Sequence, residues 1–210
     1  MANYLVRVGL PDRPGALGAV ASRIGAVGGD VVSIDILQRD GGKVVDELGV
    51  VLAGHDLVSL LRDEILEVDG VTVEAVRLVD GPLPDRNAEI LQFAVELFGQ
   101  SSSEGVQQFV TDRAWESLSG SYAALLAPDG GAVAVAGDSP PSAGSLDVPA
   151  EDGAPEDDHV ASTRLRRAGA VLVVARPNLV FRSRERLRLS TMAELTDHRW
   201  HELTVQSARP

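Results

Sequence analysis

Residues 4–24 constrain this chain more than any other stretch. Tyr4, Val6 and Val8 alternate with Leu5, Arg7 and Gly9, the two-residue period of a strand. The run Leu10-Pro11-Asp12-Arg13-Pro14-Gly15-Ala16-Leu17 breaks that period. Leu17, Val20, Ala21 and Ile24 then recur at helical spacing. Pro11 and Pro14 fix the backbone of the junction, and Gly15 lets it turn or approach a ligand closely. A strand-to-helix turn of this kind aims several unpaired N–H groups at one point, where a small anion can bind. The turn is therefore the first candidate for a ligand site.

The following sixty residues continue the alternation. The spacing predicts a helix over 14–27, stopped by Gly28-Gly29, and a strand over 30–38. Arg39-Asp40-Gly41-Gly42 reads as a hairpin turn into a strand over 43–53. Asp56 is placed to cap a helix over 56–67, and Asp69-Gly70 turns the chain into a strand over 71–79. The order βαββαβ is the ferredoxin-like arrangement, with four antiparallel strands and both helices on one face. Val31, Val32, Ile34, Ile36, Val44, Val45, Val50 and Val51 place apolar side chains on both faces of the sheet. A sheet apolar on both sides needs a cover on each, and a second copy of the domain would supply the missing one.

Topology and turn together make residues 3–80 resemble an ACT domain, a small-molecule sensing module. The matching residues are Leu10-Pro11-Asp12-Arg13-Pro14-Gly15-Ala16-Leu17 and the opening of the second strand, Gly28-Gly29-Asp30-Val31-Val32-Ser33-Ile34. The resemblance implies pairing of two copies and a free amino acid bound at their interface. The ligand-binding residues it implies are Leu10, Pro11, Asp12, Arg13, Pro14, Gly15, Ala16 and Leu17, with Asp30 and Val31 of a neighbouring copy. Two positions that often carry Asn in amino-acid-binding members are Asp12 and Asp30 here. Ionised Asp only accepts hydrogen bonds, so it favours an ammonium and repels a carboxylate. The carboxylate end of an amino acid would then rely on backbone N–H groups near Gly15 and Ala16, or on Arg13.

Pro82 to Asp85 marks a linker, placed at 81–87, between an N-terminal domain of residues 1–80 and a second of residues 88–205. In the second, Ile90, Leu91, Ala94, Val95, Leu97 and Phe98 form a helical stripe. A further helix is expected over 106–118, then strands over 121–127 and 132–136 around Pro128-Asp129-Gly130-Gly131. Residues 137–158 are rich in Pro, Gly, Ser, Ala and acid, which predicts a flexible acidic insert. An apolar strand over 170–175, a short strand near 178–181 and a helix over 183–202 close the chain. The hairpin Tyr122-Ala123-Ala124-Leu125-Leu126-Ala127-Pro128-Asp129-Gly130-Gly131 and the closing run Gly169-Ala170-Val171-Leu172-Val173-Val174-Ala175-Arg176-Pro177 give residues 88–203 a GAF-like resemblance. That resemblance implies an α/β ligand-binding or dimerisation module, here short where such domains build their pocket. An α/β module with no sensing role fits the same pattern.

Composition narrows the function. The chain has 210 residues, of which 44% are hydrophobic and only 4% aromatic, so its cores are built from Val, Leu, Ile and Ala. It has no Cys, which excludes disulfides, thiol catalysis and Cys-ligated zinc, and fits a reducing compartment. No segment reaches the roughly 20 apolar residues of a membrane span, and no signal peptide is evident, so a cytoplasmic location is expected. A net charge of −12 disfavours nucleic acid and anionic lipid. The charge is uneven: acids from Asp147 to Asp158 precede eight arginines between Arg164 and Arg188. They read as an acidic loop balanced by basic faces, with a surface for an anionic partner as the alternative.

No residue pattern points to catalysis. His198 and His201 are three apart, near Glu194 and Asp197, but no HExxH-type arrangement accompanies them. Ser101 to Ser103 fit helix capping, and no Walker sequence or dinucleotide fingerprint is present. No cofactor and no metal are expected. The chain reads as a non-catalytic homodimer that senses a small metabolite, foremost an amino acid, and passes the signal to a protein partner. A ligand-free dimerisation module is the alternative, and an enzyme hidden in the second half a third.

Overall fold

The computed structural model describes residues 1–137 and 157–207. Among them are two antiparallel four-stranded sheets and five α-helices, in a mixed α+β fold. The chain divides into two compact units, Met1–Arg86 and Asn87–Pro210.

The first unit runs β1 (Ala2–Pro11), α1 (Ala16–Ala26), β2 (Asp30–Asp40), β3 (Lys43–Leu52), α2 (Val58–Leu66) and β4 (Thr72–Val79), with strand order β2-β3-β1-β4. Glycines set its connections. Gly15 stands at the N-cap of α1 with φ 87°. At the other end, Gly28 has φ 74° and its N–H donates to Gly25 O, while Gly29 N–H donates to Ile24 O, both at 3.0 Å. This is a Schellman stop, built where the two glycines predict one. Gly41 and Gly42, both at positive φ, make the two-residue turn joining β2 and β3. Asp56 does not cap α2. A single 3-10 turn, His55–Leu57, precedes the helix and pushes its start to Val58.

Tyr4, Val6, Val8 and Leu10 of β1, with Leu48, Val50 and Leu52 of β3, pack against Val20, Ile24, Leu61 and Ile65 of the two helices. Cross-strand partners share a face, so Ile34 beside Leu48 and Ile36 beside Asp46 lie on this helix-bearing face too. They are about half exposed all the same, at 51% and 49%, because β2 is an edge strand. The opposite face is not the free apolar surface that the alternation predicts. Leu5, Arg7, Val45 and Glu47 are buried there within one chain. The segment expected as a plain linker runs onto that face: Leu83 reaches Gly49, and Arg86 pairs with Glu47 at 2.7 Å. The case for a second copy on that face therefore falls, and the apolar row left exposed is on the β2 edge.

The second unit runs α3 (Arg86–Gly99), α4 (Ser103–Ser117), β5 (Tyr122–Leu126), β6 (Ala132–Gly137), β7 (Val160–Leu165), β8 (Ala170–Ala175) and α5 (Ser183–Ser207), with strand order β6-β5-β8-β7. The Ser102 hydroxyl caps α4, accepting from Gly105 N–H at 3.0 Å. Phe93, Leu97, Val106, Val110, Leu125, Leu172, Leu189 and Met192 build the core between helices and sheet. The strand expected near 178–181 does not form. Residues 177–180 are turn and coil, and β8 pairs with β7 instead. Of the expected acidic insert, residues 138–156 lie outside the described residues.

Candidate functional site

The turn between β1 and α1 is the best-formed candidate in the first unit. Its backbone folds on itself: Arg13 N–H donates to Pro11 O at 2.8 Å, and Ala16 N–H to Arg13 O at 3.3 Å. Asp12 N–H donates across to Gly42 O at 2.8 Å, which fastens the turn to the β2–β3 hairpin. The bond from Ala19 N–H to Gly15 O opens α1, so the N–H groups of Leu17 and Gly18 precede it and have no intrahelical acceptor.

Arg39 completes this end of the sheet. Its Nε and Nη2 donate to the two carboxylate oxygens of Asp12 at 2.8 and 2.6 Å, a forked pairing. The hydrogen bonds from Arg39 hold the Asp12 carboxyl below the usual carboxylate range. Asp12 is thus matched by a cation and does not stand as a bare acid. Sequence reasoning missed Arg39, which lies 27 residues away. The signal was its position: Arg39 sits immediately before the hairpin tip, and Asp12 immediately after the strand paired with the other hairpin arm.

The ten expected ligand residues do not form one cluster within a chain. Asp12, Arg13, Pro14 and Gly15 are exposed at the turn, with Pro11 and Leu17 partly buried beside them. Leu10 and Ala16 are buried, at 3% and 4% exposure, so they contribute backbone and core packing. Asp30 and Val31 pair with Val51 and Val50, at the far end of β2 from Arg39 and Asp40. Within one chain Asp30 therefore lies away from the turn. Gly15 has space around it, with no atom within 4 Å of where a Cβ would stand, so its positive φ alone is what requires glycine.

Two buried carboxylates lie deeper in the same sheet. Glu47 accepts from Arg7 at 3.1 Å and from Arg86 at 2.7 Å. Burial pushes its pKa up, but the two guanidiniums together outweigh burial and hold it below the ordinary value. Asp46, next in sequence and facing the other way, is pushed up by burial and by the charge of Asp35. Its Oδ1 has no hydrogen-bond partner among the described residues.

Among the described residues no group of three or more His, Cys, Asp or Glu is placed to hold a metal ion. His198 and His201 are both exposed on α5. No described helix is long and apolar enough to cross a membrane.

No family model matches the chain, and no curated protein matches it. One similar solved structure is the crystal structure of an unknown protein from Galdieria sulphuraria. It is 16% identical, over 48% of this chain and 64% of that chain, with a TM-score of 0.34. The chain therefore spans less than two thirds of that protein's length, and a likeness of this size says nothing about role.

Proposed function

We propose that the chain is a non-catalytic regulatory protein that senses a small metabolite of the amino-acid class between two ACT-type domains. The observation that carries this reading is the β2 edge. Val32, Ile34 and Ile36 are each about half exposed along it, and the last residue but one of the same strand is Arg39, which grips the turn. Two copies that pair their β2 edges antiparallel would cover the three apolar side chains and satisfy the outward backbone groups. The same pairing sets Asp30 of one copy against the Arg39–Asp40 end of the other, beside its turn. An amino acid there would place its ammonium near Asp30. Its carboxylate would meet the N–H groups at the start of α1. Because both copies contribute, ligand would shift the relative population of their arrangements. The GAF-like second unit would pass that shift to a protein partner.

The forked Arg39–Asp12 pair supports a second reading, a dimerisation module without ligand, since it already gives each oxygen of the acid a donor and matches its charge. One experiment separates the two. The protein is screened by thermal shift against the twenty amino acids, with Gly15→Ala alongside. A ligand at about a hundred times its dissociation constant adds about 2.7 kcal/mol of stability. The sensing reading expects a selective rise in Tm, lost in Gly15→Ala, which itself costs about 1 kcal/mol for a side chain at positive φ. A flat screen on a well-folded dimer leaves only the ligand-free module.

A further inference from the structure

Helix α3 is apolar on two sides. Ile90, Phe93 and Leu97 pack into the core of the second unit, where Phe93 stacks on Phe109 of α4 with ring centroids 5.3 Å apart. Ala88, Leu91, Val95 and Phe98 form a second row, spaced three, four and three residues apart. That row faces solvent: Leu91 is 69% exposed, Val95 74% and Phe98 48%. Apart from Met1, no described large apolar side chain is more exposed than Leu91 and Val95.

The spacing is that of a heptad seam, with Ala88 and Val95 at a and Leu91 and Phe98 at d. One apolar stripe suffices to hold a helix to its domain. A second stripe of this period suits another helix, whose side chains seat in the holes between its residues. The positions bordering the seam, e and g, are Asn87, Gln92, Ala94 and Gly99. None carries a charge, so two copies of a chain with net charge −12 meet there without like charges at short range.

The next groups outward favour one direction of pairing. Glu89 and Glu96 both lie at b, on the α4 side, where Arg113 reaches Glu96 at 3.5 Å. On the other side Arg199 of α5 stands over Phe98, its Cζ 5.9 Å from the ring centroid. A parallel pair is related by an axis along the helices, so the glutamate side of each copy faces the arginine side of the other. An antiparallel pair is related by an axis across them, and sets glutamates against glutamates.

We infer that α3 is a self-pairing surface, on which α3 of a second copy packs in parallel through Ala88, Leu91, Val95 and Phe98. Three large side chains bury well under the roughly 800 Å² per partner of a standard interface. The contact is therefore reversible in dilute solution and adds to any other link between the same two copies. It lies in the second unit, and needs neither the turn nor the β2 edge of the first.

The chain has no Cys, so a single introduced thiol reports the pairing cleanly. A parallel seam sets each d position against its own counterpart. Leu91→Cys and Phe98→Cys are made in the full chain and oxidised with diamide at high protein concentration. Leu187→Cys, at a site 65% exposed on α5, measures random collision. Both seam variants are expected to form the disulfide-linked dimer about tenfold or more faster than Leu187→Cys, because pairing raises the effective thiol concentration. Val95→Glu added to either should return the rate to that of Leu187→Cys, with the circular dichroism spectrum intact. Crosslinking at either seam position no faster than at Leu187→Cys, or a rate that Val95→Glu leaves unchanged, overturns the inference.

Discussion

Glu47 shows how much one side chain carries. It is 5% exposed, and both partners, Arg7 and Arg86, are arginines. Its folded pKa lies below the unfolded one, so its stabilisation is complete above the ordinary carboxylate range and fades as pH falls through the folded value. Glu47→Gln is expected to cost about 3 kcal/mol at pH 7, because Arg7 stays buried without its counter-charge. Urea titrations across pH check this: the variant should lose less stability than the wild type as the solution is acidified. Asp46 has the opposite sign. Its folded pKa is raised, so it weakens the fold at neutral pH and stops doing so below the unfolded value. Asp46→Asn should gain about 1 kcal/mol at pH 7, a gain that vanishes in acid. The strand period predicts that Asp46 and Glu47 face opposite ways, and the register bears this out. It gives no sign that Arg7 would be buried at 3% exposure, since its partner Glu47 lies 40 residues away in sequence.

At the level of elements, the start of α5 and the end of β8 depend on Arg176. Its guanidinium donates to Leu118 O, Leu179 O and Val180 O, and twice to Glu185. Its Cζ lies 4.0 Å from the Phe181 ring centroid. Glu185 in turn accepts the N–H of Arg182 at 2.9 Å, half of a capping box for α5. Arg176→Met should cost about 3 kcal/mol by stranding Glu185 in the core, read as a lower urea midpoint. The same arginine explains a misread element. Asn178 to Phe181 looks like a strand because it is apolar, yet two of its carbonyls accept from Arg176 and are lost to a sheet ladder. The real strand, β7, hid behind Ser162, Thr163 and Arg164, polar residues of an edge position. The helix ends at Gly28-Gly29 and Ser102 fared better, since those residues act through local geometry, whereas the cap expected at Asp56 does not form.

For the whole molecule, alternation and glycine placement made the strand and helix sequence of the first unit legible. What covers each sheet face was not. Apolar letters on β2 and β3 predict two apolar faces, but the β-bulges in β2 and its edge position turn part of that set outward on the helix side. If that edge joins two copies, Ile34→Asp should convert a dimer to a monomer in sedimentation while leaving the circular dichroism spectrum intact, because Ile34 is only half buried. An unchanged dimer would remove the β2 edge from the assembly. The clasp between Asp12 and Arg39 adds a consequence for the turn. It is open to water, with Arg39 68% exposed, and it joins two loops that share few other bonds. Dissolved salt weakens such a clasp. A visitor arriving in dilute solution meets loops already set in place. At high ionic strength it must still them itself, and part of its affinity is consumed in doing so.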